Sequence, residues 1–190
     1  MNRTIYALVG CVCLAACGAA DDHELAGHSG APAPSTDAPK TEPKPGSTTA
    51  PKNAFDGAPA YVATLGATTR QPSHPFVDKN PVGRPCLSCH DGSGAPPRFA
   101  AGGTVYDGET PAARVEVRVV GADGVARSTY TDDDGNFFFL NSTSPLAFPA
   151  MVGVRDATRT RLMQGTPPNG NCNDCHNGGG AAGPLHVDKP

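Results

Sequence analysis

The run Val115-Glu116-Val117-Arg118-Val119 alternates apolar and charged side chains with a period of two. Successive side chains of a β-strand point to opposite faces, so this is the pattern of a half-buried strand. Turn dipeptides lie on either side of it, Asp107-Gly108 before and Asp123-Gly124 after. Further on, Asp133-Asp134-Gly135-Asn136 reverses the chain into Phe137-Phe138-Phe139-Leu140. Glycine supplies the positive φ such turns need, and Asp or Asn side chains bond nearby amides. Gly103-Thr104-Val105-Tyr106, Arg127-Ser128-Thr129-Tyr130-Thr131, Met151-Val152-Gly153-Val154-Arg155 and Arg161-Leu162-Met163 complete the set. About six short strands spaced by turns predict a mainly β domain over residues 102–163, an antiparallel sandwich. No segment carries the period of a long amphipathic helix.

The pieces Gly103-x-Val105, Pro111-Ala112-Ala113-Arg114-Val115-x-Val117 and Thr131-Asp132-x-Asp134-Gly135-x-Phe137 follow one another within a stretch of about 40 residues. In these motifs the region resembles the carboxypeptidase regulatory-like family. The resemblance implies a transthyretin-like or immunoglobulin-like sandwich and no peptidase activity. The family's closing Gly-x-Tyr strand is missing, and Ser142 to Pro149 stands in its place. Asp132-Asp133-Asp134-Gly135 lacks the alternating carboxylates and distant Glu of an EF-hand loop, so it reads as a capped turn.

On each side of the sandwich stands a copy of Cys-x-x-Cys-His: Cys86-Leu87-Ser88-Cys89-His90 and Cys172-Asn173-Asp174-Cys175-His176. This spacing is the attachment signal of c-type haem. Two thiols add to the vinyl groups and the adjacent histidine reaches the iron. The flanks, Gly92-Ser93-Gly94-Ala95-Pro96-Pro97 and Asn177-Gly178-Gly179-Gly180-Ala181-Ala182-Gly183, suit loops wrapped around a flat cofactor. Residues 71–101 and 164–190 are therefore expected to be two haem-binding segments, each carrying one covalent c-type haem. Because the sandwich lies between them, its closely placed ends would bring the two haems together.

The chain opens with a short basic region, Met1-Asn2-Arg3, and a small apolar run from Ile5 to Ala16, too short to span a membrane. Leu14-Ala15-Ala16-Cys17-Gly18 resembles the lipobox of bacterial lipoproteins. That resemblance implies a signal peptide over residues 1–16, cleavage before Cys17, and lipidation of Cys17. Gly18 after the cysteine points to the outer rather than the inner membrane of a bacterial envelope, facing periplasm or cell surface. With Cys11 and Cys13 in the leader, the seven cysteines leave none for a structural disulfide. Residues 17–70 follow as a disordered tether rich in Pro, Ala, Ser and Thr, with little apolar area to offset the entropy of ordering. Within it, Ala60-Tyr61-Val62-Ala63-Thr64-Leu65 suits either a short strand or loose chain.

Cys86, Cys89, Cys172 and Cys175 are thus the predicted attachment residues, and His90 and His176 the proximal iron ligands. His23 and His28 fall in the tether, which leaves His74 and His186 as the distal candidates, with Met151 and Met163 as competitors. The resulting reading is a membrane-anchored dihaem c-type cytochrome, an electron carrier rather than an enzyme, working with redox partner proteins. The alternative is a surface lipoprotein presenting a β-sandwich, its Cys-x-x-Cys pairs binding zinc or closing disulfides. Zinc does not require the histidine directly after each second cysteine. A thiol oxidoreductase would place its motif at a helix start in a βαβ unit, and that context is lacking. A net charge of −3, scattered basic residues and 6% aromatics offer nothing to nucleic acid.

Overall fold

A computed structural model of the chain describes residues 50–75, 79–180 and 182–188. The leader, Cys17, His23, His28 and the first part of the tether lie outside the described residues. The remainder forms two β-sheets face to face, with almost no helix. In chain order the strands are β1 (Phe99–Asp107), β2 (Thr110–Pro111), β3 (Glu116–Val120), β4 (Ala126–Tyr130), β5 (Asn136–Leu140), β6 (Met151–Arg155), β7 (Thr160–Leu162) and β8 (Leu185–His186). Cys86–Ser88 forms a single 3-10 turn, and α1 (Cys172–Cys175) a single α-helical turn.

One sheet is built on β1, which pairs antiparallel with β2 and β5 and parallel with β8. The other runs β4-β3-β6-β7, antiparallel throughout. Val115, Val117, Val119 and Val154 from one sheet meet Val105, Phe137 and Phe139 from the other in a single buried core. Turn chemistry follows the sequence. Gly124 and Gly135 adopt positive φ, and the Asp132 carboxylate accepts the amides of Asp134 and Asn136.

Three features depart from expectation. First, residues 50–70 are not a free tether but a strap along the sandwich. Ala54 is buried, and its carbonyl accepts Arg118 Nε. Tyr61 donates its hydroxyl to the Arg114 carbonyl at 2.6 Å, and Thr69 donates both its amide and hydroxyl to Asp132. Residues 60–65 run without strand pairing. The strap docks through main-chain carbonyls and single anchoring side chains, which need no apolar periodicity. Second, Glu116, expected to face water, is 2% exposed. It is paired with Arg155 Nε at 2.7 Å and accepts Ser128 Oγ at 2.7 Å. Arg155 in turn reaches the Pro59 carbonyl and lies over the Phe55 ring, so the strap covers the charged face. Third, the sandwich extends past both expected limits. It begins at Phe99, and Val187 beyond β8 is fully buried in the core.

Candidate functional site

The two Cys-x-x-Cys-His segments adopt closely related local structures. In each, a turn begins at the first cysteine and the histidine amide closes it, His90 onto the Cys86 carbonyl at 3.0 Å and His176 onto Cys172 at 2.9 Å. A glycine-rich loop then folds back against the turn. A Cβ at Gly94 would collide with the Cys89 carbonyl, and one at Gly180 with that of Cys175. Asp91 and Asn177 occupy equivalent places and accept loop amides from Ser93 and Gly179.

The loop end returns to the histidine ring. His90 Nδ1 lies 2.9 Å from the Pro97 carbonyl, and His176 Nδ1 lies 3.2 Å from the Gly183 carbonyl. Both acceptors stand seven residues beyond their histidine. A carbonyl at Nδ1 fixes that nitrogen as the donor and leaves Nε2 with a lone pair for a metal. Phe99 stacks on His90 at 4.2 Å between ring centroids and Phe138 on Phe99 at 4.7 Å, which fixes the first imidazole against β1 and β5. Sequence reading missed these supports. The signal for them was present, because Cys-x-x-Cys-His-(Asp/Asn)-Gly-x-Gly-Ala is repeated at 86–95 and 172–181.

The cysteines differ in access. Cys89 and Cys175 are exposed, whereas Cys86 and Cys172 turn inward. Burial pushes the Cys86 thiol up to about 11 and the Cys172 thiol up to about 12, where the neighbouring Cys86 adds to the rise. No disulfide joins any of the four, and among the described residues no three His, Cys, Asp or Glu side chains converge as a metal site. The donor set in each segment is two thiols, one exposed and one inward, beside an imidazole latched through Nδ1, which is the chemistry a thioether-bound group or a metal would use.

The distal candidates differ. His74 stands edge-on to His90 with 6.4 Å between ring centroids. His186, on β8, neighbours Tyr106 at 6.1 Å, and its Nδ1 lies 3.4 Å from Asp188 Oδ1. Met151 begins β6, and Met163 directly follows β7 and is exposed. Comparison with protein-family models, curated proteins and solved structures finds no match to this chain.

Proposed function

We propose that this chain is a c-type cytochrome. Its particular form is a lipid-anchored dihaem electron carrier of the bacterial envelope, with one haem on Cys86 and Cys89 and a second on Cys172 and Cys175. The observation that carries this reading is the paired latch, in which a carbonyl seven residues downstream takes Nδ1 of His90 and again of His176. A disulfide role for the cysteines gives no reason to orient an adjacent imidazole twice in the same way; zinc would use a latched imidazole too, but does not require it directly after each second cysteine. Bound haem would supply an iron that gains and loses one electron without moving an atom.

The chain's own residues supply the rest. His90 and His176 would offer Nε2, each ring latched at Nδ1 and that of His90 also stacked on Phe99. His74 is favoured as the second ligand at the first site because its ring stands edge-on to His90 with 6.4 Å between centroids. His186 is retained as the candidate at the second site. Lipidation at Cys17 would hold the module at the membrane surface, and the chain between Cys17 and residue 50 would set its reach to redox partner proteins. The β-sandwich, carboxypeptidase regulatory-like in its motifs, serves as the frame.

Production in a host that attaches c-type haem tests this directly. A pyridine haemochrome assay is expected to give two haems per chain, one in Cys86→Ala/Cys89→Ala and one in Cys172→Ala/Cys175→Ala. Colourless wild-type protein would contradict the reading.

A further inference from the structure

The two haem-binding segments are 86 residues apart in sequence, yet they meet on two consecutive residues of β1. A Cβ at Gly102 would lie 3.0 Å from Cys86 Cβ and 3.2 Å from its sulfur; a Cβ at Gly103 would lie 2.9 Å from Cys172 Cβ. The absence of side chains at both positions lets both inward cysteines pack directly on the strand. A side chain at either position would press on an inward cysteine, which would have to shift to admit it.

Hydrogen bonds also join the two segments directly. Asn173, the first intervening residue of the second motif, is fully buried and donates Nδ2 to the Arg84 carbonyl at 2.8 Å, two residues before Cys86. Asn171 Oδ1 accepts the Leu87 amide at 3.4 Å, inside the first motif. Thr104, also fully buried, receives Gly83 N at Oγ1 and donates its own amide to Asn173 Oδ1 at 3.0 Å. Its hydroxyl passes on to Asn136 Oδ1 at 2.7 Å, anchoring the junction to β5. A buried amide with satisfied partners on both loops specifies one arrangement, because any other would strand its polar atoms.

We propose that Gly102-Gly103 and the Asn173–Thr104 junction form a shared mount that holds both haem segments as one unit, so that the two haems act as an electrostatically coupled pair. Gly102, Gly103 and Asn173 are positioning residues in this arrangement. The inference rests on the dihaem reading above. Within such a pair an electron would pass from a ferrous to a neighbouring ferric iron with no proton or atom moving, and an external one-electron donor would supply it. An electron held on one iron would then oppose reduction of the other. Were the two irons on the order of 10 Å apart, unit charges in a protein of effective dielectric constant about 20 would change the reduction equilibrium about tenfold.

The test is a spectroelectrochemical titration of the full-length matured protein beside Cys86→Ala/Cys89→Ala and Cys172→Ala/Cys175→Ala. The wild-type curve is expected to depart from the sum of the two single-site curves, with a change of about tenfold, about 59 mV for one electron, in each haem's potential when its neighbour is removed. Asn173→Ala, with both haems attached, is expected to bring the curve closer to that sum. If a variant is not recovered, electron paramagnetic resonance of the ferric wild-type protein decides, with mutual broadening of the two haem signals expected. Additive curves, or two independent unbroadened signals, would overturn the shared mount while leaving two haems in place. Colourless protein would instead overturn the dihaem reading itself.

Discussion

At the residue scale, what separates the two sulfurs of each motif is burial. Cys86 and Cys172 sit against β1, and moving a thiolate there out of water is unfavourable, which is why both thiols titrate far above their ordinary value. Alkylation proceeds through the thiolate, so its rate should follow the deprotonated fraction. In haem-free protein at pH 8, iodoacetamide is expected to label Cys89 and Cys175 at least tenfold faster than Cys86 and Cys172. Labelling of the inward pair is expected to climb as pH rises toward about 11 for Cys86 and about 12 for Cys172. Peptide mapping by mass spectrometry reads this; equal labelling of all four at pH 8 would show that the inward packing is wrong. The histidines make a second residue-scale prediction. His90→Ala should leave haem covalently attached at Cys86 and Cys89 but shift its Soret band, because the thioether bonds do not depend on the imidazole. An unchanged spectrum would remove His90 from the iron.

At the scale of elements, the charged face of β3 is the informative failure of sequence reading. Alternation correctly separated Val117 and Val119 from Glu116 and Arg118. Period two shows which residues share a face, but not what covers that face. The strap does so through Arg155, which bonds Glu116, the Pro59 carbonyl and the Phe55 ring together. Breaking a buried ion pair by deleting one partner leaves the other charge uncompensated. Arg155→Ala is therefore expected to destabilise the protein by about 3–5 kcal/mol in urea unfolding. A loss below about 1 kcal/mol would mean that the pair behaves as a surface one. The strands of five or more residues were legible because each spans two or more periods. β2 and β8 were not, since two residues carry no period and β8 is placed only by its pairing with β1.

At the scale of the whole molecule, the two motifs were legible as a repeated pattern, while their meeting place was not. Cys-x-x-Cys-His names its own residues, and the repeated glycine loop was there to be read. That Gly102 and Gly103 lie beneath both inward cysteines depends on the β1 register and on Asn173 reaching Arg84, which are long-range facts. The strap is also a property of the whole. Removing residues up to 70 deletes the Tyr61, Thr69 and Ala54 hydrogen bonds and bares Glu116. A truncated module starting at residue 71 is expected to lose roughly 3–5 kcal/mol at about 1 kcal/mol per hydrogen bond, seen as a lower melting temperature than the full-length protein. Identical melting would contradict a docked strap.

The most direct measurement is the intact mass of the mature protein purified from a host equipped for c-type haem attachment. The account predicts polypeptide plus lipid plus two haem groups that survive acid–acetone extraction, with all four motif cysteines blocked to alkylation. A mass of lipidated polypeptide alone, with those four cysteines still free to react, would contradict it.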